Sequence, residues 1–401
     1  MFSLTFDETT GLMKSITNKA SKLTTDLAIT WGWYNSSVGG CTKETAGPPA
    51  TAAQCSDQAS GAYIFRPNSS EVFFPGPTKT PTIEVVKGPL VIEVRQTFSD
   101  WATHVVRLVK GKPYVEVEWT AGPIPVDTPW FPSVVDHNKG NPLPNIWGKE
   151  VIVQYSSGLH TDKTFYVDAN GREMIKRVVD KRGPSYPPLN VSEPVAGNYY
   201  PVNAMIAVED TAAKTQLAII TDVTQGGSSL KNGQIEMMVH RRVMMDDRRG
   251  VQEPLNETMC GCNDIGAKPG QMGAHGHEGD GGCTCAGLTM RGSHLLIFDK
   301  TVAANGLRRQ VEDRLNFKPT LAFGAAPKVA GGDLFNASFL GAELPANIKI
   351  HTLTSNYAEI NDGAILLRLA HMYSVGEHPT LSQPATVSLA EVFSKAQLKV
   401  R

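Results

Sequence analysis

The 401-residue sequence has no excess of charge of either sign: 38 lysines and arginines face 39 aspartates and glutamates, a formal net charge of −1. No global field would draw the chain to nucleic acid or to an anionic membrane. The densest basic cluster, Arg241, Arg242, Arg248 and Arg249, is interrupted by Asp246 and Asp247 and reads as internally paired. No apolar run approaches the roughly 18 residues of a membrane span. The stretch MFSLTFDETTGLMKSITNK lacks the basic start and apolar core of a secretory signal. There is no Gly-x-Ser-x-Gly elbow, P-loop or dinucleotide fingerprint, and no internal repeat, heptad or long low-complexity tail. What remains is ordinary globular composition, 41% hydrophobic and 19% charged, which excludes chain-wide disorder.

Cysteine is scarce, six residues in all, but the number is even. Acceptor triplets for N-glycans stand at Asn35, Asn68, Asn190, Asn256 and Asn336. Together these features point to the oxidising secretory pathway. A secretory interior without a signal predicts that Met1 is not the natural start.

The dominant pattern is short alternating runs of β-branched and aromatic residues between Gly, Pro, Asn and Asp. Leu27–Trp33, Ala62–Phe65, Leu90–Phe98 and Gln234–His240 are among the expected strands. Tyr114–Thr120 alternates cleanly, with Val115, Val117 and Trp119 on one face and Glu116 and Glu118 on the other. Many short strands with intervening turns predict an all-β fold of antiparallel sandwiches. One helix is expected between Val302 and Phe317, where Leu307, Val311 and Leu315 recur and Pro319 stops the run. A second, short one is expected after Ser388. Three stretches read as loops: 39–60, 123–147 with six prolines, and the glycine-dominated 261–287. The expected division is a large β-sandwich region over 1–315 and a smaller C-terminal β region over 316–401.

Chemistry-bearing patterns are few. Cys260-Gly-Cys262 and Cys283-Thr-Cys285 flank His275 and His277. Structural zinc sites space their cysteines by about two to four residues, so disulfides closing the glycine-rich loop are the preferred reading. Nested pairing, Cys260 with Cys285 and Cys262 with Cys283, would staple that loop at its base, though connectivity stays open; Cys41 and Cys55 are then left as a third pair. His160-Thr-Asp162 reads as a solvated turn, and no metal site is expected. Asp246 and Asp247 are adjacent, so on extended chain they point to opposite faces and cannot converge on one substrate atom. A glycosidase needs two converging carboxyl groups, and no self-contained active site emerges. The adjacent Tyr199 and Tyr200 could offer a stacking face to a sugar, or simply pack.

The segments QASGAYIFRPN (58–68), GPLVIEVRQTFSDW (88–101), VEVEWTAGPIPV (115–126), TFYVDANGREMIKR (164–177), EPVAGNYYPVN (193–203), TDVTQGGSSLKNGQIEMMVHRRVMMDDRRGV (221–251) and ILLRLAHMYSVGE (365–377) occur in order over nearly the whole chain. In this series the sequence resembles the lysosomal class of glycoside hydrolase family 38 α-mannosidases, in its β-rich C-terminal part. The resemblance implies supersandwich-like, galactose-mutarotase-like β domains, one or two short helices, and a lysosomal, vacuolar or secreted protein. It implies retaining hydrolysis of terminal α-D-mannose from N-glycans by the intact enzyme, with zinc and the aspartate nucleophile in an upstream catalytic domain, which is the expected partner. No cofactor is implied for this chain, which alone is expected to be inactive. Homo-oligomerisation is left open. Tyr200 is implied at the sugar-binding rim, and Asp246, Asp247 and Arg249 in an interface or structural motif. Loops 123–147 and 261–287 exceed the family pattern and look like insertions. The competing reading is a stand-alone carbohydrate-binding module without hydrolase activity.

Overall fold

The structure is a computed structural model, described over residues 2–37, 58–126, 148–183, 193–243, 247, 250, 253–262, 283–323, 338–355 and 365–395. Two compact units divide it, Met1–Thr301 and Val302–Arg401.

In the first unit β1 (Phe2–Phe6), β2 (Met13–Asn18) and β3 (Leu23–Asn35) form a meander, as do β4 (Thr82–Lys87), β5 (Val91–Ser99), β6 (Ala102–Val109) and β7 (Val115–Ala121). The remaining strands are β8 (Lys149–Ser157), β9 (Thr164–Ala169), β10 (Glu173–Val178), β11 (Tyr200–Val202), β12 (Met205–Asp210), β13 (Thr215–Thr221), β14 (Gln225–Ser228), β15 (Gln234–Arg242), β16 (Thr258–Cys262), β17 (Cys283–Gly287) and β18 (Met290–Lys300). They assemble a seven-stranded sheet, β1-β2-β3-β8-β15-β14-β11, and a nine-stranded sheet, β10-β9-β12-β13-β18-β7-β6-β5-β4. Among the described residues β16 and β17 pair only with each other. Strand pairing is antiparallel throughout. The all-β sandwich expected from the alternation is what forms.

The two sheets sandwich one apolar core. Alternate residues of β3 (Leu27, Ile29, Trp31), β8 (Val151, Val153, Tyr155) and β15 (Ile235, Met237, Val239) meet Val106, Val117, Trp119, Phe165, Val167, Leu217, Ile219, Leu296 and Phe298 of the facing sheet. Burying such side chains contributes about 1.5–3 kcal/mol each relative to exposure. Two histidines bridge the sheets inside this core. The Trp31 indole N–H donates to His104 Nδ1 at 3.0 Å, and His104 Nε2 donates to Gln96 Oε1 at 2.6 Å. Tyr155 Oη donates to His294 Nδ1 at 2.7 Å, and His294 Nε2 donates to Gln225 Oε1 at 2.8 Å. These partners fix one neutral tautomer in each case. Burial pushes both imidazoles down to about 3.

The second unit carries α1, a helix over Thr301–Asn316 that opens on the last residue of the first unit, then the hairpin β19 (Ile348–Thr354) and β20 (Leu366–His371), and the short α2 (Leu389–Val392). Ser388 caps α2, its hydroxyl accepting from the Glu391 N–H at 3.4 Å. The division falls at Thr301/Val302, ahead of α1 rather than behind it at 315/316. The reason is the helix's own contacts. Its buried residues include Ala304, Gly306, Arg308, Arg309 and Val311. Arg308 and Arg309 both donate to the Glu377 carboxylate, at 2.8 and 2.9 Å, and Tyr373 Oη donates to the Gly306 carbonyl at 2.7 Å. Burial alone would raise the Glu377 carboxyl, but the two guanidiniums hold it down to about 2. Leu307 and Leu315, which mark the helix in the sequence, are only half-buried.

The expected strand Ala62–Phe65 does not form; the segment is irregular and held by side chains. Loop 39–60 is described only from residue 58, loop 123–147 only to residue 126, and within 261–287 residues 263–282 lie outside the described residues.

Candidate functional site

The outer face of the seven-stranded sheet is covered by chain from 58–74 and 193–199, and a polar network lies buried beneath that cover. Strand alternation sends Tyr34, Ile152 and Met238 outward, away from the sandwich core, where they pack with Phe65, Val72, Val195 and Tyr199. Between them sits Glu236, 1% exposed. Its carboxylate accepts from Tyr34 Oη at 2.9 Å, from Gln154 Nε2 at 2.7 Å and from Tyr199 Oη. Burial raises this carboxyl, the three donors oppose the rise, and no cation bonds to it among the described residues. Burial also drives the Tyr199 and Tyr34 hydroxyls up, so both stay protonated donors.

A second buried carboxylate, Glu150, anchors the covering segment. Arg241 grips it with two N–H donors, Nε at 2.5 Å and Nη2 at 3.0 Å, and reaches on to the Ile64 carbonyl at 3.0 Å. Ser60 Oγ donates to Glu150 and accepts from the Arg66 backbone N–H at 3.1 Å. Arg66 in turn donates to the Gln58 carbonyl at 3.0 Å and pairs with Glu193 at 2.8 Å.

Asp247 completes the clamp. It is 1% exposed, and its Oδ2 accepts from the Tyr63 backbone N–H at 3.0 Å. Gln58 Nε2 donates to its carbonyl at 3.0 Å. Gly61 lies so close that a Cβ there would stand 2.4 Å from Asp247 Cβ, which only glycine avoids. The Tyr63 side chain, borne on this clamped loop, is 73% exposed. An amphipathic ring open to solvent on a pinned backbone can stack on a sugar face or donate a hydrogen bond.

The other candidate residues fall elsewhere. Tyr200 lies in β11, its ring under the Arg177 guanidinium at 4.3 Å and the Arg182 guanidinium at 5.6 Å, its hydroxyl accepting from Arg182 Nη1 at 2.8 Å. It packs against the core and Phe165. Tyr200 is thus engaged by its own chain, whereas Tyr63 is presented outward. Asp246 and Arg249 lie outside the described residues, so only Asp247 of that motif is placed, and its carboxylate accepts from backbone 184 residues away in sequence. His160-Thr-Asp162 is a turn on Asn232, whose Oδ1 accepts from the Thr161 and Asp162 N–H groups at 2.8 and 2.9 Å. Glu116 and Glu118 line the outer face of β7 and pair with Arg107.

Among the described residues no group of three or more His, Cys, Asp or Glu is arranged to hold a metal. No helix of the structure is long and apolar enough to cross a membrane. Of the glycan acceptors, Asn68 is exposed, Asn35 and Asn256 are half-buried, and Asn190 and Asn336 lie outside the described residues. Cys41 and Cys55 also lie outside them.

Sequence reasoning missed Tyr63 because alternation around it mimics a strand. The signal that could have found it is the Ser60-Gly61 pair just before, a break that a strand interior rarely tolerates.

Residues 1–249 match the glycosyl hydrolases family 38 C-terminal domain. The chain is 38% identical over 397 residues to the lysosomal alpha-mannosidase of Homo sapiens, covering 97% of this chain and 33% of that protein. It is 34% identical to the alpha-mannosidase of Canavalia ensiformis over 404 residues, 99% of this chain and 35% of that one. The chain therefore spans about a third of the length of the curated relatives it matches. Among solved structures, a protein in glycosyl hydrolase family 38 from Enterococcus faecalis overlays with a TM-score of 0.48 at 14% identity, over 96% of this chain and 39% of that one. The family match takes in the covered face with Glu150, Tyr199, Glu236 and Asp247, and the chain belongs to glycosyl hydrolase family 38, as part of its C-terminal region.

Proposed function

We propose that this chain is the non-catalytic, C-terminal β portion of a lysosomal or vacuolar α-mannosidase that removes terminal α-D-mannose from N-glycans. The carrying observation is the similarity to α-mannosidases along 97% of this chain but only 33% of the relative's length. The nucleophile and the zinc of a retaining mechanism belong to a catalytic part outside this chain. The sandwich serves as a rigid support for that part.

The clamped loop 58–66 gives the support its contact with sugar. Tyr63 is the aromatic offered to the mannose rim, because its ring is open and its backbone is pinned by Asp247. Tyr200 is the alternative donor to the rim, but its hydroxyl and ring are already engaged by arginines.

The test is hydrolysis of a chromogenic α-mannoside at acidic pH by the purified chain, alone and mixed with a relative's catalytic half. Turnover only in the mixture supports the reading. Turnover by the chain alone, abolished by chelator, would overturn it. Mannose binding by the isolated chain, competed by free sugar and without any gain from the catalytic half, would favour a stand-alone carbohydrate-binding module instead.

A further inference from the structure

β16 and β17 make a ribbon with no third strand among the described residues. Its register sets Thr258 opposite Gly287, Met259 opposite Ala286, Cys260 opposite Cys285, Gly261 opposite Thr284 and Cys262 opposite Cys283. A lone two-stranded hairpin is marginal in water. This one is joined in sequence by residues 263–282, twenty residues of which seven are glycine. Hairpin connections are ordinarily about 2–5 residues, and a longer, glycine-rich connection costs more entropy to close. Backbone pairing and turn chemistry alone do not account for a ribbon of this kind.

The four cysteines occupy the register positions that would compensate. Residues two apart in a strand share a face, so Cys260 and Cys262 share one face of β16, and Cys283 and Cys285 one face of β17. Directly opposite residues of an antiparallel pair have Cα atoms about 4.5–5.5 Å apart, inside the roughly 4.4–6.8 Å range of disulfides. Diagonal neighbours lie about 7–8 Å apart, beyond it. Opposite pairing is therefore favoured over crossed pairing.

We propose that β16 and β17 carry a ladder of two cross-strand disulfides, Cys260–Cys285 and Cys262–Cys283, that staple the base of the glycine-rich loop. In each, one cysteine thiolate attacks the disulfide of a secretory-pathway oxidoreductase or of oxidised glutathione, and the cysteine opposite displaces the carrier from the mixed disulfide. Each bond removes two protons and two electrons from a cysteine pair and reduces one carrier disulfide to two thiols.

The test uses the full chain secreted from a eukaryotic host and harvested into N-ethylmaleimide. Glu-C cleavage after Glu278 separates Cys260 and Cys262 from Cys283 and Cys285 in sequence. Mass spectrometry of the unreduced digest is expected to find the two peptides joined, four hydrogens lighter than their reduced sum and free of maleimide. Pairing is read from double variants. Cys260→Ser with Cys285→Ser leaves no alkylated thiol at Cys262 or Cys283, whereas Cys260→Ser with Cys283→Ser leaves two, at Cys262 and Cys285. Should those variants fail to be secreted, partial reduction of the native chain followed by differential alkylation reads the same pairs. Four maleimide-labelled cysteines in the native chain would overturn the ladder, as would crossed pairing. Stoichiometric zinc, released by a thiol reagent from four reduced cysteines, would replace it with a thiolate metal centre.

Discussion

The two faces of the seven-stranded sheet are made by the same strands and buried by opposite means. On the inner face Leu27, Trp31, Val153, Ile235 and Met237 pack against another sheet, and the polar groups between the sheets include two neutral histidine bridges. On the outer face Glu150 and Glu236 are equally buried, but beneath irregular chain that they hold by hydrogen bonds. An apolar face tolerates any partner of matching volume. A buried carboxylate tolerates only chain that satisfies it, because leaving it unpaired costs about 1–3 kcal/mol or more. The inner face makes the fold stable; the outer face selects which segment lies on it, and so where Tyr63 is presented.

The contrast can be broken at several points. Trp31→Ala on the inner face should destabilise most, by about 3–5 kcal/mol, read as a lower urea midpoint with an unchanged slope. Acid comes next. His104 and His294 have folded values near 3 against an ordinary 6.5, so their contribution is complete above about 6.5 and is lost as pH falls. The loss reaches about 2–3 kcal/mol per histidine by pH 4.5. His104→Gln should cost stability at pH 7 but flatten that acid limb; an unchanged limb would show that the bridges are not its cause.

Glu236 has the opposite sign. Its carboxyl is raised by burial, so its contribution is present at acid pH and declines as pH rises through its folded value. Glu236→Gln, which keeps the shape but cannot ionise, should remove that decline, at a cost of about 1 kcal/mol for one mismatched donor. Asp247→Ala should cost about 1–3 kcal/mol and speed amide exchange in 58–66 without disturbing β3, β8 or β15. If exchange rises equally everywhere, Asp247 is a general structural residue and not a clamp on this loop.

Tyr63→Ala is the smallest change in stability, within about 0.5 kcal/mol for an exposed side chain. In the complemented enzyme it should nonetheless lower kcat/KM by about tenfold or more, the weight of one lost contact of about 1.4 kcal/mol. Tyr200→Phe should do the reverse, costing about 1 kcal/mol through its bond to Arg182 and sparing turnover. An exchange of these two outcomes would return the rim to Tyr200.

Much of the fold was legible because strand alternation reports burial within one segment. Val115, Val117 and Trp119 are buried and Glu116 and Glu118 face outward, as their order implies. The helix Thr301–Asn316 was legible in place but not in its buried face, since Arg308 and Arg309 are buried only by grace of Glu377, 69 and 68 residues on. The same reason moved the division of the chain ahead of the helix. Of the candidate site, Tyr199 and Tyr200 stood out as aromatics, and both are half-buried, but which of them reaches Glu236 was not readable. Tyr63 was hidden in a run that alternates like a strand and is not one.

The sequence by itself determined the antiparallel sheets, the capped short helix and the ordered motif series, because propensity, alternation and caps act between near neighbours. Tertiary structure alone decided that Asp247 meets the backbone of Tyr63 and that Glu150 meets Ser60, across 184 and 90 residues. A buried charge has no preferred partner in sequence; it takes the donors that the folded sheet brings within about 3 Å.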